Sequence, residues 1–329
     1  MRILVIGGTR FIGPFIVREL VRQGHRVTVF HRGQTNAKLP PGVSEILGDY
    51  GQLADHRAEF RRLAPEVVFH TNAFAANDAR GFVQTFAGLA RRSVVLSSID
   101  VYRAYGRLHR TEPGPPDPTP LTEDSPLRDQ PSLHGPDRDK IEVERLVLSV
   151  PDFPATVLRL PAVYGPGDHR HRFREYLVRM LDERPVILME DGYAVWRWSH
   201  GYVENIAAAA ALVAADDRAA GRIYNLGEPE VPTQAERVAA LGCAVGWRGQ
   251  IRAMPRTGLP PHLQADVDWH QPWTVDTGRI HSELGFREPV TFEEALQRTL
   301  AWHKSLGDDH GPPAEYAAED EAWRKFVAG

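Results

Sequence analysis

Short apolar runs alternate with amphipathic segments through the first half of the chain. The runs predict buried strands at residues 3–6, 26–30, 43–47, 67–71, 93–97 and 155–160. Between them, apolar residues recur at helical spacing, which predicts a helix that ends at Gly24 and others near residues 53–63, 82–90 and 137–149. Strands that alternate with helices are typical of a parallel sheet covered by helices on both faces. The predicted fold class is therefore α/β, a Rossmann-type doubly wound parallel sheet with ligands at the carboxyl ends of its strands.

The pattern becomes less regular in the second half of the chain. Eight prolines between residues 106 and 136 exclude regular structure there. A loop of this length predicts a mobile flap over the ligand, with disorder as the alternative. Further helices are predicted at 173–181, 203–215 and 292–302, and strands at 186–189 and 222–226. We expect a nucleotide-binding domain at 1–165, whose sheet can recruit parts of 200–230, and a smaller C-terminal substrate lobe with a tail at 166–329.

A glycine-rich turn follows the first predicted strand and leads directly into a helix. It reads Gly7-Gly8-Thr9-Arg10-Phe11-Ile12-Gly13. Glycines let backbone amides approach a pyrophosphate, and the helix that follows directs the positive end of its dipole toward that charge. Strand, turn and helix in this order predict a dinucleotide site to which all seven residues contribute.

Composition and charge narrow the class of function. The 329 residues include 39 basic and 43 acidic side chains, so the formal net charge of −4 makes nucleic acid an unlikely partner. A single cysteine, Cys243, excludes an internal disulfide and offers no metal cluster, so no metal site is predicted. The first strand begins without a leader, and the longest apolar stretch, residues 206–215, is too short to span a bilayer. We therefore expect a cytoplasmic protein with a small-molecule partner and no membrane contact.

Several stretches in order along most of the chain carry a family resemblance. They are Thr71-Asn72-Ala73, Ser97-Ser98-Ile99-Asp100-Val101-Tyr102, the run from Arg159 to Asp168, Gly201-Tyr202-Val203-Glu204-Asn205 and Tyr224-Asn225-Leu226-Gly227. Together they resemble the extended short-chain dehydrogenase/reductase family of sugar-nucleotide epimerases, dehydratases and reductases. The variant glycine turn is similar to a divergent branch that includes chloroplast RNA-binding proteins. The resemblance implies a nicotinamide cofactor, held partly by Asn72 and Ala73, and a possible homodimer.

The resemblance also implies a catalytic serine and a tyrosine–lysine pair four residues apart. Ser98 matches the serine, which orients the substrate hydroxyl, and Lys140 matches the lysine, which holds the nicotinamide ribose. Pro136 stands where the tyrosine is expected, so an atypical acid/base is predicted. Asp100 comes first among the candidates, because its position matches a glutamate base of the dehydratases. It could instead cap a turn.

Other polar residues are candidates for contact with the substrate or the proton. His134 is a candidate because the ordinary pKa of histidine suits proton transfer at neutral pH, with a solvated loop residue as the alternative. Tyr164 and Tyr102 are candidates too, with packing at strand ends as the alternative. Arg197 is predicted to bind a substrate anion. The alternating histidines and arginines of residues 168–172 favour a basic edge facing a phosphate over a metal site, because the arginines would repel a cation; a solvated loop is the alternative.

The end of the second strand predicts the choice of cofactor. It reads Phe30-His31-Arg32-Gly33, without the carboxylate that accepts the ribose hydroxyls of NAD. Arg32 and Arg10 could clamp the 2'-phosphate of NADP, and Asp49 resembles the family aspartate that contacts adenine. We predict NADP, with NAD as the alternative.

The function predicted from the sequence is that of an NADP-dependent oxidoreductase. Its substrate would be a small molecule with a carbonyl or hydroxyl group, for which a sugar nucleotide is one candidate. A sugar-nucleotide epimerase is the first alternative, because it needs the same cofactor geometry. The second is a non-catalytic regulator that binds NADP or associates with RNA, which the missing tyrosine favours.

Overall fold

Seven parallel strands form the central sheet of the computed structural model, which describes residues 1–133, 135, 138–307 and 316–328. The strands of the described chain are β1 Arg2–Ile6, β2 Arg26–His31, β3 Ser44–Leu47, β4 Val67–His70, β5 Arg92–Ser98, β6 Ala155–Leu160, β7 Ala162–Tyr164, β8 Val186–Glu190, β9 His200–Tyr202, β10 Ile223–Asn225 and β11 Gln250–Met254. The order in the sheet is β10-β6-β5-β4-β1-β2-β3. The chain winds outward in both directions from the boundary between β1 and β4, where ligands bind in such sheets. The predicted Rossmann-type fold is confirmed.

Helices cover both faces of this sheet. The helices of the described chain are α1 Ile12–Arg22, α2 Arg57–Leu63, α3 Ala76–Phe86, α4 Arg103–Leu108, α5 Lys140–Leu148, α6 Arg174–Leu181, α7 Asp191–Val195, α8 Val203–Ala215, α9 Gln234–Val245, α10 Gly278–Leu284, α11 Phe292–Ser305 and α12 Tyr316–Ala328. Side chains of β1 alternate between two cores: Ile3 and Val5 pack with α1 and α8, whereas Leu4 and Ile6 pack with α3 and α5. Burial on both faces explains why the strands read as continuous apolar runs.

The start of α3 differs from the sequence prediction, which placed a helix at 82–90. The Asp78 carboxylate accepts hydrogen bonds from the amides of Phe74 and Ala75, at 3.2 and 3.0 Å, and so fixes an earlier start. The helix ends at Phe86, before Gly88 with its positive φ of 74°. The capping interaction therefore sets the bounds of the helix, which begins at Ala76 and ends at Phe86, before the bounds that its apolar pattern predicts.

The proline-rich segment is anchored to the body of the protein. Its described part, residues 109–133, buries charged side chains that bind neighbouring backbone or side chains. The Glu112 carboxylate accepts the amides of Asp129 and Gln130, both at 2.8 Å. Asp117 pairs with Arg103 at 2.5 Å. Buried ionic anchors of this kind fix an irregular segment that has no helix or strand bonds of its own.

The second half of the chain contributes both to the central sheet and to structure outside it. Strand β10 completes the main sheet beside β6, while β8 and β11 form a separate parallel pair. Helix α12 packs beside that pair, where Glu319 forms a buried ion pair with Arg179 of α6. No helix of the described residues is long and apolar enough to cross a membrane.

Candidate active site

A groove of about 610 Å³ follows the carboxyl edge of the central sheet. It is formed where β1, β2, β4, β5 and β6 end. Twelve residues predicted from the sequence line it: Gly7, Gly8, Thr9, Arg10, Phe11, Ile12, Gly13, Arg32, Asn72, Ser98, Asp100 and Lys140. The fold therefore brings the predicted cofactor turn and the predicted catalytic residues into one continuous site.

The glycine turn at one end of the groove has no room for side chains. Gly7 and Gly8 have φ angles of 91° and 77°, which favour glycine. A Cβ at Gly13 would lie 2.4 Å from the Cα of Gly8, because the start of α1 packs directly on the turn. No side chain caps the N-terminus of α1; within its first turn the Gly13 amide donates to the Arg10 carbonyl at 3.0 Å, and Pro14 has no amide hydrogen. These features fit the pyrophosphate of a dinucleotide.

Two arginines stand at the edge of the groove near the end of β2. Arg10 and Arg32 are exposed, and neither forms an ion pair with any residue that the structure describes. The Arg32 guanidinium lies 5.6 Å from the ring centroid of Tyr50. His31 is held in place, since its Nδ1 accepts the Gly33 amide and its Nε2 lies 2.7 Å from Glu45. The groove-lining side chains at this end therefore include two cations and no carboxylate.

Asp49 does not line the groove, although Gly48 and Tyr50 do. Its carboxylate instead accepts the amide of Gly51 at 2.8 Å and caps the short 3-10 helix that begins at Tyr50. An aspartate before a turn satisfies a free backbone amide in this way, so a capping role accounts for the residue.

Ser98 and Asp100 form a hydrogen-bonded pair at the other end of the groove. The Ser98 hydroxyl donates to Asp100 Oδ1 at 2.6 Å, and the Asp100 amide donates back to Ser98 Oγ at 3.3 Å. Both residues are half-buried, at the point where β5 runs into a short 3-10 helix. The Ser98 hydroxyl is therefore held by Asp100, and it can rotate to donate to a ligand oxygen in the groove.

Lys140 begins α5 and reaches back to the sheet. Its Nζ donates to the carbonyls of Ala73, at 2.7 Å, and Leu96, at 3.0 Å. The ring centroid of Phe74 lies 4.6 Å from the same nitrogen. Burial lowers the pKa of the Lys140 amine to about 8, although the Asp100 carboxylate nearby favours the charged form. Ala73 itself is buried and serves this site through its carbonyl oxygen.

Two predicted substrate residues, Tyr164 and Arg197, lie outside the groove lining. Tyr164 is buried and donates to Glu228 at 2.6 Å, and burial raises the pKa of its phenol far above the usual range. Arg197 donates to the Val231 carbonyl and does not line the groove. Its side chain projects away from the aromatic core because Trp196 and Trp198, its neighbours along an extended segment, both pack there. His134 lies outside the described residues.

Tyr102 and the proline-rich segment also differ from expectation. The Tyr102 hydroxyl is buried and donates to Asn225 at 2.6 Å, and burial raises the pKa of this phenol to about 12. No described residue from 103 to 133 lines the groove. The expectation of a flap over the ligand is therefore wrong for this part of the chain, because its buried charges bind it to the body instead.

Sequence reasoning missed two residues that line the catalytic end. Phe74 is 44% exposed there, and Arg138 lies 6.0 Å from the Phe74 ring centroid. Their positions in the sequence could have indicated both residues. Phe74 directly follows the family stretch that ends at Ala73, and Arg138 precedes Lys140 by two residues. His169, Arg170 and Arg172 of the predicted basic edge line the groove, and its contact with a phosphate stays a prediction.

A second cavity of about 500 Å³ opens beside the groove. Arg170 and Arg172 line both spaces, so the cavity adjoins the groove through these two residues. Two donors of the cavity lining, Gln234 Nε2 and Trp198 Nε1, are buried without a hydrogen-bond partner among the described residues. Buried donors without partners favour a ligand that carries acceptor oxygens.

Comparison with known proteins finds one family across most of the chain. The profile of the NAD dependent epimerase/dehydratase family matches residues 3–227. A 2'-dehydrokanamycin reductase from Streptomyces kanamyceticus is 30% identical over 69% of this chain, although the chain spans only 61% of that reductase. The chloroplast stem-loop binding protein of 41 kDa b from Arabidopsis thaliana is 29% identical over 92% of this chain and 74% of its own length. The structure of the Bordetella bronchiseptica enzyme WbmG in complex with NAD and UDP matches with a TM-score of 0.72 at 21% identity, covering 93% of this chain and 96% of WbmG.

Proposed function

Because the chain belongs to the NAD dependent epimerase/dehydratase family, we propose that it is an NADP-dependent oxidoreductase that acts on the carbonyl or hydroxyl group of a small, acceptor-rich, sugar-like substrate. The observation that carries the proposal is the arrangement of one groove, in which the glycine turn lies at one end and Ser98, Asp100 and Lys140 lie at the other. A nicotinamide cofactor, when bound, would supply or accept the hydride.

In this proposal the protein holds the reacting oxygen and orders the cofactor. The Ser98 hydroxyl donates to Asp100, and by rotating about its C–O bond it can donate instead to the substrate oxygen, which as a carbonyl only accepts. Lys140 lies between the ends of β4 and β5, where two of its ammonium hydrogens are bound to backbone carbonyls and the third is left for a ligand in the groove. A positioned acid/base raises the rate of such a step by on the order of 10²- to 10⁴-fold. Another group must therefore take the place of the family tyrosine, whose position is occupied by Pro136.

The charges of the groove support NADP over NAD. Arg10 and Arg32 are exposed and line the groove at the end of β2, and no carboxylate of the described groove lining competes with a 2'-phosphate there. A guanidinium binds a phosphate with two parallel hydrogen bonds, which makes such contacts both strong and directional.

The second cavity supports a substrate rich in oxygen acceptors. Gln234 and Trp198 offer unused donors, and Arg170 adds a positive charge where the cavity adjoins the groove. A sugar or nucleotide moiety has acceptors of this kind. The relative named as a 2'-dehydrokanamycin reductase supports reduction over epimerisation.

A binding protein without catalysis is the second candidate. Its support is the stem-loop binding relative, which aligns with 92% of this chain, together with proline at the tyrosine position. The formal net charge of −4 argues against it, because binding to a nucleic acid backbone requires positive charge.

The function is tested by titrating the protein with NADPH and then following NADPH consumption with a panel of keto sugars and nucleotide sugars. We expect saturable NADPH binding and turnover of at least one carbonyl substrate. Ser98→Ala is the control, because it should bind NADPH normally and lose turnover. Tight NADPH binding without turnover of any substrate, together with retention of a labelled RNA stem-loop, would favour the second candidate.

Arg32→Asp should reverse or abolish the preference for NADPH over NADH. The substituted carboxylate would repel the 2'-phosphate and could accept the ribose hydroxyls of NADH. We expect NADPH affinity to fall by about 10- to 50-fold, the loss of one charge-assisted contact with added repulsion. Paired binding titrations measure both cofactors, and Arg61→Asp, at an exposed position of α2, is the matched control. Equal affinities of the unmutated protein for the two cofactors would contradict the arginine clamp.

A further inference from the structure

The hydrogen bonds of Lys140 divide its three ammonium hydrogens into two kinds. Two of them are directed to fixed backbone carbonyls, those of Ala73 and Leu96. The third has no acceptor among the described residues. If the third proton leaves, the neutral amine keeps both carbonyl bonds, and its lone pair replaces the departed hydrogen. The side chain can therefore gain and lose a proton without leaving its place.

The groups around this amine come from several elements. Asp100 faces it from the end of β5, Asp78 from α3 and Glu144 from the next turn of α5, and all three carboxylates favour the charged amine. Glu144 is already bound, since it accepts Ser97 at 2.5 Å and pairs with Arg159 at 2.7 Å. Burial outweighs these charges and lowers the pKa of Lys140 to about 8. Proton exchange near neutral pH is consistent with that value.

Another titratable neighbour lies beneath Lys140. His70, on β4, is fully buried, and burial together with the charge of Lys140 lowers the pKa of its imidazole to about 3. It therefore stays neutral at physiological pH. Phe74 and Arg138 complete the surroundings at the groove.

No phenol of the described residues can take the role at this end of the groove. Pro136 occupies the position of the family tyrosine. Tyr102 and Tyr164 are buried, bonded to Asn225 and Glu228, and absent from the groove lining. Tyr50 does line the groove, but it stands beside Arg32 at the opposite end. Arg138 keeps its proton at any working pH.

We propose that Lys140 exchanges the proton with the substrate oxygen, in place of the absent phenol, while Asp100 fixes Ser98 for the same oxygen. This inference rests on the proposed function. In reduction, the carbonyl carbon receives the hydride of the reduced nicotinamide cofactor and the C=O π bond breaks. The oxygen then takes the third N–H proton of Lys140, the amine becomes neutral, and solvent restores its proton. Oxidation runs through the same atoms in reverse, with the neutral amine as the base.

Lys140→Arg separates proton transfer from charge. An arginine keeps the positive charge and the donors but does not release a proton. We expect turnover to fall by about 100-fold or more, with NADPH affinity changed by less than about threefold. In the unmutated protein, reduction requires the charged amine, so its rate should fall as the pH rises through about 8, and the rate of oxidation should rise.

A chemically modified variant tests whether a new amine at position 140 restores turnover. Lys140→Cys, made together with Cys243→Ser so that no other thiol reacts, is alkylated with 2-bromoethylamine to restore an amine of lower basicity. We expect partial recovery of turnover, with the loss of the reduction rate moved to lower pH. Alkylation that restores no turnover in a folded protein that binds NADPH would overturn the inference.

The proton state of Lys140 can also be read without turnover. The chain has four lysines, Lys38, Lys140, Lys304 and Lys325, so a protein labelled with ¹³C at lysine Cε gives few resonances. The resonance absent from the Lys140→Arg spectrum should titrate near pH 8, whereas the reference pKa of a lysine side chain is about 10.4. A Lys140 resonance that titrates with the other three, or normal turnover of Lys140→Arg, would overturn the inference and leave the proposed function intact. A protein that binds NADPH and reduces no substrate would overturn both.

Discussion

Gly13→Ala should weaken NADPH binding by on the order of 1000-fold, or about 4 kcal/mol. The added Cβ would lie 2.4 Å from the Cα and 2.5 Å from the carbonyl carbon of Gly8, and neither atom belongs to a side chain that can rotate away. The start of α1 must then move off the turn, and with it the amides that face the pyrophosphate. Fluorescence titration with NADPH measures the loss.

Gly81→Ala is the matched control for this change. It adds the same methyl group within α3, where a Cβ would meet no atom within 4 Å. Alanine also favours a helix interior over glycine, so we expect unchanged affinity and equal or slightly higher thermal stability. Thermal unfolding of both variants shows whether each is folded at the temperature of the titration. Normal NADPH binding by a folded Gly13→Ala variant would contradict the placement of the cofactor.

The strands and the groove residues that follow them could be predicted because local pattern determines them. Strand β6 occupies residues 155–160 as predicted, since a strand buried on both faces is mostly apolar, with Thr156 and Arg159 as its polar members. The glycine turn is similarly local, because its packing excludes side chains whatever lies around it. Parallel topology then places the ends of β1, β4 and β5 at one edge, which is why Gly7, Asn72 and Ser98 meet.

Long-range contacts account for the expectations that the structure overturned. Nothing in residues 109–133 indicates that Glu112 and Asp117 are buried, because their partners lie elsewhere in the chain or in other turns of the same segment. Prolines show that the segment is irregular, but they do not show whether it is anchored. Tyr164 and Arg197 illustrate the same limit, since the direction of a side chain depends on neighbours that the motif does not contain.

The catalytic end combines both kinds of information. Ser98 and Asp100 are only two positions apart in the sequence, so their hydrogen bond follows from a short turn. Lys140 depends instead on the packing of α5 against β5, which lets its amine reach carbonyls 67 and 44 residues away in the chain. The depressed pKa of this lysine is therefore a property of the tertiary structure, and a motif alone does not reveal it.

Asp100→Asn should lower turnover by about 100-fold while leaving NADPH affinity near normal. The carboxylate accepts the Ser98 hydroxyl at 2.6 Å, and its charge raises the pKa of Lys140. A neutral amide removes the charge from both interactions, so Ser98 is held less firmly and Lys140 loses its proton at lower pH. The loss of the reduction rate with rising pH should therefore begin at a lower pH than in the unmutated protein.

The pH dependence of this variant distinguishes two roles for Asp100. If Asp100 itself exchanged the proton, its replacement would reduce the rate at every pH. The pH–rate profile would then keep only one limb, the fall in rate with rising pH that comes from the titration of Lys140. If Asp100 positions Ser98 and supports the charge of Lys140, the limb moves, and its shift matches the change in the Lys140 resonance. Asp152→Asn, at an exposed turn before β6, is the matched control and should change neither turnover nor the limb. Normal turnover of Asp100→Asn with an unmoved limb would contradict both roles, because neither the Ser98 hydrogen bond nor the charge near Lys140 could then contribute to the reaction.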